Sequence, residues 1–463
     1  MDRQLEAGQE AVAGTGGGLA AGSARVGWPR GRRPAPAPDG SSFPAKLTAL
    51  VRQRFSYLNG RFNALVDKRR PDDCLYSAAA ILWMVVLGFL CRKGSRNAMD
   101  VARNTGFAPA NLLALSGQRQ WPKGRPLSVP CTETANRFLE ILDPRCLEEI
   151  LVAIIRTLLH AKIFDAAKID NWTLMLVDGT KQENFRRWYR PWRRKYRYVL
   201  HVKVLGPDDT AFTALTEPCD HYDTEKEKLD CEREAFKRVA VRLKAAFPRL
   251  AICLVGDALF ACEAAYEICE RNGWKFIFTF KEGSYRAVFG EAMELLALVP
   301  GNIDRFENKE KAFTQDTRWV GHVAFGDRCL SVVLQGEINA TRTYFCSWVT
   351  NWPIHSPERA RAIAAAGRSR SRIEESYNVQ KNGGFGLEHA FRETDQGAAN
   401  YHLLMQLAHT LWQLLSKGWI RRELAACRKL TDISLAELLA QALRERPPPE
   451  GPLPAFQLRF ADG

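Results

Sequence analysis

The stretch Leu174-Met-Leu-Val-Asp178-Gly-Thr180 decides the fold. A short apolar run that breaks at a carboxylate is typical of a buried strand whose end carries chemistry. A second run of this kind, Ile252-Cys-Leu-Val-Gly-Asp257, lies further along the chain. One such acid alone is more typical of a turn or a helix cap. Two of them, followed by a third acid on a helix, predict a catalytic cluster.

The third acid lies in Arg370-Ser-Arg-Ile-Glu374-Glu-Ser-Tyr-Asn-Val-Gln-Lys381, a stretch without glycine or proline. This pattern predicts an α-helix. At about 100° per residue, a helix places Arg370, Glu374 and Lys381 within roughly 40° of one another. One helix face therefore carries an acid between two bases, and we expect the two bases to contact phosphates.

Asp178, Asp257 and Glu374 are the predicted catalytic residues and metal ligands. Carboxylates gathered at one point repel one another, so such a cluster stays ionised only when a hard dication offsets the charge. Two Mg²⁺ ions about 4 Å apart, with Mn²⁺ as a substitute, can assist displacement at phosphorus. Glu375 is a rival third ligand, which ranks second because it lies about 100° around the helix from Glu374.

The elements around the two aspartates follow a definite order. Three strands, a helix, a strand, a helix and a strand predict an α/β fold with the chain order of a ribonuclease-H-like core. In that core, strands one and four each deliver a carboxylate. The predicted elements are strands Leu174–Val177, Tyr196–Leu205 and Ala211–Thr216, helix Glu225–Phe247, strand Leu250–Val255, helix Ala261–Arg271 and strand Trp274–Phe280.

Composition and pattern divide the rest of the chain. Residues 1–44 are rich in Gly, Ala, Pro and Arg and predict a disordered basic tail. Residues 45–165 predict a helical N-terminal domain for DNA binding or dimerisation, with helices at Leu75–Leu90, Ala98–Arg103, Thr132–Leu142 and Cys146–Leu159. The catalytic domain would span 170–282 and 354–420 around a β-rich insertion at 283–353, and residues 421–463 would form a helical, proline-rich tail. Strand-like runs in the insertion are Arg318–Phe325, Cys329–Leu334 and Thr343–Val349.

Charge and cysteine usage restrict the function classes. The 463 residues carry a formal net charge of +14, which favours polyanionic partners. Leu75–Cys91 is uncharged but falls short of the roughly 20 apolar residues that a membrane span needs. We therefore expect a buried helix there and no membrane partner. The 12 cysteines form no Cys-x-x-Cys pair, and this fits a reducing cytoplasm.

A basic and aromatic segment separates the first two predicted strands. Between Arg186 and Arg197, seven bases are interleaved with four aromatic residues. Basic side chains neutralise phosphates, and aromatic rings can stack on exposed bases. A solvated hairpin packed on a neighbouring domain is the alternative. The predicted DNA contacts are Arg186, Arg187, Trp188, Arg190, Trp192, Arg193, Arg194 and Lys195.

Residues of about 170–420 resemble the DDE transposases of insertion-sequence family four, which carry a β-stranded insertion before their glutamate. The closing helix of that family reads Tyr, two residues, Arg, three residues, Glu, six residues, Lys. Arg370, Glu374 and Lys381 match the last three positions, and Gly367 stands at the tyrosine position. The sequences Arg372-Ile-Glu-Glu375 and Asp178-Gly-Thr180 are also similar to the family pattern.

This resemblance implies a bacterial DNA transposase that acts in the cytoplasm, associated with the nucleoid. Metal-dependent cleavage at transposon ends would be followed by strand transfer of the 3′-hydroxyl into target DNA. The implied partners are double-stranded DNA, as terminal inverted repeats and as target, and a second copy of the chain in a synaptic homodimer. Two alternatives remain open: a structure-specific DNA nuclease on the same fold, and a domesticated DNA-binding protein without transposition activity.

Overall fold

The computed structural model describes residues 40–70, 74–101, 103–186, 194–219, 225–283, 286–308, 313–339, 343–392, 394–424, 427–456, 458 and 460. These residues form an α/β protein around one mixed sheet. The elements from Phe43 to His160 are all helices. Strands and helices then alternate, and helices complete the chain.

The sheet has nine strands in the order β3-β2-β1-β4-β5-β9-β8-β7-β6. Strand β2 is antiparallel to β1 and β3, whereas β4 is parallel to both β1 and β5. The remaining pairs, from β5–β9 to β7–β6, are antiparallel. The strands are β1 Thr173–Arg186, β2 Arg194–Leu205, β3 Ala211–Cys219, β4 Ile252–Gly256, β5 Lys275–Thr279, β6 Ile303–Asn308, β7 Phe313–Phe325, β8 Arg328–Asn339 and β9 Thr343–Thr350.

The α-helices, in chain order, are α1 Phe43–Ala49, α2 Leu58–Asn63, α3 Ala78–Leu90, α4 Arg96–Asp100, α5 Ala108–Ser116, α6 Thr132–Ile141, α7 Pro144–His160, α8 Glu225–Ala246, α9 Glu263–Asn272, α10 Arg286–Leu298, α11 Pro357–Arg368, α12 Ser371–Asn382, α13 Asp395–Leu415, α14 Arg421–Glu423 and α15 Asp432–Glu445. Single π-helical turns follow α1 and α13, at Leu50–Arg54 and Ser416–Ile420, and a 3₁₀ turn spans Asp165–Ala167.

Helix α13 lies at the centre of the packing. It contacts α3, α6 and α7 of the N-terminal helices and also strand β3. Its residues are buried on all sides, among them Leu403, Leu407, Leu411 and Leu414. A helix that is buried on every face needs other elements around it. The N-terminal helices and the sheet therefore share one hydrophobic core.

The predicted elements agree with the structure in most places. The four helices predicted between residues 75 and 159 are present as α3, α4, α6 and α7, with ends that differ by at most three residues. Helices α1, α2 and α5 were not predicted, and α1 begins at Phe43, inside the predicted tail. Residues 1–39 of that tail lie outside the described residues.

The structure of residues 283–353 differs from the predicted β-rich insertion in two respects. It begins with helix α10, whereas the prediction has only strands there, and β6 was not predicted. Its last strand, β9, pairs with β5 through Ile277↔Thr350, so the insertion extends the sheet. Periodicity reveals a strand but not its partner, which is why the sequence left the sheet assignment open.

The stretch Leu75–Cys91 contains helix α3, as expected. Eleven of its 13 residues are buried, including Trp83, whose indole nitrogen donates to the Asn59 side chain at 2.6 Å. Among the described helices, none combines the length and apolar character that crossing a membrane requires.

Candidate active site

Asp178 is the first residue of strand β1 beyond its pairing with β4. The parallel pairing of β1 with β4 ends at Val177↔Gly256, so Asp178 and Asp257 each follow the last paired residue of two neighbouring strands. Neighbouring strands lie about 4.8 Å apart, which brings the two acids together at one edge. The prediction that β1 ends before the acid is wrong. The strand continues to Arg186 because its antiparallel partner β2 continues with it.

Asp257 opens the turn that follows β4. Its Oδ1 accepts a hydrogen bond from the main-chain N–H of Leu259 at 3.0 Å, and its carbonyl oxygen accepts one from Phe260 at 3.2 Å. The residue thus performs the turn role that a single acid after a strand commonly has. This role uses one carboxylate oxygen and does not conflict with a second role as a ligand.

Glu374 lies on helix α12, and Arg370 joins it to Asp178. The Arg370 guanidinium is 2.7 Å from Glu374 Oε1 and 3.6 Å from Asp178 Oδ2. The predicted helix from Arg370 is present from Ser371, with Arg370 as its N-cap in helical geometry. The predicted spacing is therefore kept, and one cation contacts two of the three predicted acids.

The three acids interact electrostatically. Burial raises the pKa of Asp178 from its usual 3.8 to about 7. This value already includes the charges of Asp257 and Glu374, which also raise the pKa, and the Arg370 guanidinium, which lowers it. Near neutral pH, the Asp178 carboxyl is consequently poised between its two protonation states. Such a shift in a cluster of like charges is typical of functional sites.

The rival glutamate points elsewhere. Both oxygens of Glu375 contact Arg372, at 2.7 and 2.8 Å, and Arg372 also contacts Asp209 at 2.9 Å. Glu375 is not among the charges that shift the pKa of Asp178. The ranking of Glu374 above Glu375 is consistent with this arrangement. Lys381 contacts Glu388 at 3.2 Å, so this base has an acidic partner of its own.

Within the described part of the chain, no group of three or more His, Cys, Asp or Glu side chains is arranged to hold a metal ion. The chemistry of the donor set still fits a hard divalent cation, because Asp178, Asp257 and Glu374 offer only carboxylate oxygens. In the arrangement described here, Arg370 supplies the positive charge that such a cluster requires.

The sequence analysis missed a group of buried polar residues behind the acids. Lys203 and His201 on β2 are completely buried, opposite Leu176 and Asp178 of β1. Tyr377 on α12 is also buried, and its hydroxyl donates to the main-chain oxygen of Asp178 at 2.8 Å. Alternation alone makes Tyr198–Leu205 resemble a strand with a polar, exposed face. The available signal was a lysine and a histidine at alternate positions of an otherwise apolar run.

Burial determines the charge of these groups. It lowers the pKa of Lys203 from 10.5 to about 7, against the opposing charge of Asp178. Burial also lowers the pKa of His201, and that of His402 falls to about 3. The two imidazoles meet through their Nε2 atoms at 3.0 Å, so both are neutral at pH 7 and one donates to the other.

The two ends of the basic and aromatic segment lie on the paired strands β1 and β2. Strands β1 and β2 pair as far as Arg186↔Arg194, and Phe185 faces Lys195. The side chains of these three predicted DNA contacts, Arg186, Arg194 and Lys195, lie outside the described part of the structure. Arg187, Trp188, Arg190, Trp192 and Arg193 lie outside the described residues altogether.

The family's tyrosine position has a different use in this chain. A Cβ at Gly367 would lie 2.2 Å from the indole nitrogen of Trp348, so the indole occupies the space beside α11. Trp348 is 3 % exposed, which makes it a core residue. Trp352 is buried as well, and its ring meets Trp172 edge-on.

Comparison with known proteins does not assign the chain to a family. No protein-family model matches it. A search of curated proteins also found no match.

Proposed function

We propose that the chain is a DDE transposase with a ribonuclease-H-like catalytic core. The first five strands of the sheet support the core: they lie in the order β3-β2-β1-β4-β5, and among them β2 runs against the other four. The extra strands β6–β9 correspond to the β-stranded insertion of insertion-sequence family four. In this proposal the function is metal-dependent cleavage at transposon ends, followed by joining to target DNA.

One observation carries the proposal. Two acids that are far from Asp178 in the sequence, Asp257 and Glu374, both raise the pKa of its carboxyl group, so the three acids lie within electrostatic reach of one another. Arg370, the base that the helix pattern pairs with Glu374, contacts two of the three acids.

Asp178, Asp257 and Glu374 would hold the divalent ions, Mg²⁺ or Mn²⁺. When bound, such ions supply Lewis acidity to the phosphodiester oxygens and stabilise the charge that develops on them. Arg370, which contacts Asp178 and Glu374, would serve as a DNA phosphate contact in the loaded site. Lys381 has the same role further along α12.

The proposed reaction consists of two displacements at phosphorus. In the first, water attacks the phosphodiester at the transposon end, and the products are a 3′-hydroxyl and a 5′-phosphate. In the second, the 3′-hydroxyl attacks a phosphodiester of the target DNA. The transposon 3′-oxygen becomes joined to the 5′-phosphate of the target, and a target 3′-hydroxyl leaves. The proposed partners are double-stranded DNA and, from the family resemblance, a second copy of the chain.

The test uses two neighbouring glutamates as a matched pair. The substrate is a plasmid that carries the reading frame with its natural flanking DNA, incubated with the purified full chain and Mg²⁺. Glu374→Gln, Asp178→Asn and Asp257→Asn should each lower the cleavage rate by a factor on the order of 10³, because the ligands contribute several kcal/mol of transition-state stabilisation. Glu375→Gln should leave the rate unchanged.

Binding of the same DNA, measured by gel shift, should survive in all four variants. Full cleavage by the Glu374→Gln variant would remove that residue from the site. Cleavage without a joined product would favour a structure-specific nuclease on the same fold. Binding by the wild-type chain with neither product would favour a domesticated DNA-binding protein.

A further inference from the structure

We propose that Lys203, Ser376 and Tyr377 are positioning residues that fix helix α12 on strands β1 and β2, so that Glu374 faces Asp178. This inference rests on the proposed function and deepens it, because it assigns what sets the separation of the two acids. None of the three positioning residues is assigned a contact with metal or DNA.

Helix α12 docks mainly through polar side chains. Of its four buried residues, only Ile373 is aliphatic, and the others are Ser376, Tyr377 and Gln380. The amide of Gln380 exchanges hydrogen bonds with the amide of Gln406 on α13, at 3.2 and 2.8 Å. The buried face of the helix therefore finds specific partners on the neighbouring helix α13.

Lys203 provides the contact from the sheet. Its Nζ donates to Ser376 Oγ at 2.7 Å and lies 4.7 Å from the centre of the Tyr377 ring. Lys203 is completely buried, yet no ion pair of the described residues includes it. An apolar side chain of the same volume would stabilise the fold at least as well, since burying an ammonium is unfavourable. Its contacts with two residues just beyond Glu374 supply a specific role.

Tyr377 completes the connection to β1. Its hydroxyl donates to the main-chain oxygen of Asp178 at 2.8 Å, the first residue beyond the pairing of β1 with β4. The His201 ring packs edge-on against the Tyr377 ring, with 5.2 Å between the ring centres. This hydrogen bond thus joins helix α12, which carries Glu374, directly to Asp178.

Polar docking specifies register more narrowly than apolar packing does. A helix can slide on an apolar surface with little change in buried area, whereas a hydrogen bond weakens steeply with distance and angle. A displacement of about 1 Å at a reacting group can lower a rate on the order of 10²-fold. A ligand on a helix that is held by three directional contacts is protected from such a displacement.

The decisive measurement is the affinity for Mn²⁺ alone, by electron paramagnetic resonance of the free ion, on the full chain. Tyr377→Phe removes a hydroxyl and leaves the ring, so we expect the dissociation constant to rise by about 10-fold or more, as for other groups that orient metal ligands. Tyr401→Phe is the matched control. Its hydroxyl donates to Asn136 Oδ1 at 2.6 Å in an equally buried place on α13, away from the acids.

A second pair of variants separates orientation from stability. Ser376→Ala removes the acceptor of Lys203 and should weaken Mn²⁺ binding by a similar factor, whereas Ser376→Thr keeps a hydroxyl and should restore the affinity. Thermal unfolding of each variant without metal provides the measure of stability. This pair decides the question if Tyr377→Phe does not fold.

Asp178→Asn is the reference that keeps the two proposals apart. Wild-type Mn²⁺ affinity in that variant would contradict the metal site and with it the proposed function. Weak binding by Asp178→Asn, together with wild-type affinity in Tyr377→Phe and Ser376→Ala, would leave the metal site standing and overturn the positioning role. Equal weakening in Tyr377→Phe and Tyr401→Phe would also overturn it, because the effect would then be one of general stability.

Discussion

Helices α11 and α12 follow one another in the chain but pack on the sheet in different ways. Helix α11 contacts β5, β7 and β8, and its buried residues are small or aliphatic: Ala360, Ile363, Ala364, Ala366 and Gly367. Helix α12 contacts β1 and β3, mainly through hydrogen-bonding side chains. Only Ser369 and Arg370 separate the two.

The difference shows how one sheet can support a rigid scaffold and a charged site side by side. The position of α11 depends on shape, because Gly367 leaves room for the Trp348 indole. The position of α12 depends on single polar atoms, because the Tyr377 hydroxyl donates a hydrogen bond to Asp178 and the Ser376 hydroxyl accepts one from Lys203. Variants of α11 should therefore respond to volume, and the site on α12 should respond to charge and pH.

The largest expected effect is that of filling the space at Gly367. A Cβ there would overlap the Trp348 indole, so Gly367→Tyr should lower the free energy of unfolding by at least about 5 kcal/mol, and Gly367→Ala by about 1–3 kcal/mol. Urea unfolding followed by circular dichroism measures both. Gly290→Ala on α10 is the control: its Cβ meets nothing within 4 Å, so stability should rise slightly. Unchanged stability of Gly367→Ala would contradict packing by shape.

The second prediction concerns pH at Asp178 in the metal-free protein. Its folded pKa, about 7, lies above its usual 3.8, so the folded state holds the proton more tightly. The contribution of Asp178 to stability is then fully present below pH 3.8 and is lost as the pH rises to about 7, on the order of 4 kcal/mol in total.

Subtracting the unfolding free energy of Asp178→Asn at each pH removes the contribution of the buried histidines, which both proteins share. Lys203 has a folded pKa of about 7, below its usual 10.5, so its contribution is lost as the pH falls from about 10.5 to 7. Comparison with Lys203→Met tests that second window. If the difference in unfolding free energy between the wild type and Asp178→Asn stayed constant from pH 4 to 7, the raised pKa of Asp178 would be contradicted.

A double-mutant cycle should sharpen the account of α11. Trp348→Phe removes part of the indole and opens space beside Gly367, so the combined variant with Gly367→Ala should be more stable than the sum of the two single effects by about 0.5–3 kcal/mol. Pairing Gly367→Ala with Trp172→Phe, a more distant tryptophan change, provides the control. Strict additivity of the first pair would mean that the two residues do not share a space.

The smallest effect is expected on the outer face of α12. Glu375 is 52 % exposed and Arg372 is 32 % exposed, so their ion pair is well solvated. Glu375→Gln should lower the free energy of unfolding by at most about 0.5 kcal/mol, and added salt should reduce even that. A loss of several kcal/mol would show that the polar docking of α12 extends to its exposed side.

The parts of the fold that sequence predicted well depend on local pattern. The apolar runs before Asp178 and Asp257 predicted the cores of two strands, and both are present because their residues are buried on both faces of the sheet. The spacing of Arg370 and Glu374 predicted that they share one helix face, and in the structure they are in contact there.

What the sequence left open depends on partners far along the chain. Strand β1 continues beyond Asp178 only because β2 pairs with it, and no local pattern near Asp178 encodes that partner. The contact of Gly367 with Trp348 joins α11 to β9. Lys203 resembles a residue on an exposed strand face until α12 and α13 cover it, which is why the positioning group was missed.

Strand β1 links two parts of the proposed DNA path and contains a register shift between Lys181 and Glu183. Arg186 lies eight positions beyond Asp178 on that strand. At about 3.3 Å per residue, the span is roughly 26 Å, which equals about eight base pairs of B-form DNA. In the proposed complex, the footprint of the hairpin would begin some eight base pairs from the scissile phosphate, and lengthening the paired strands by two residues each would shift it outward by about two base pairs.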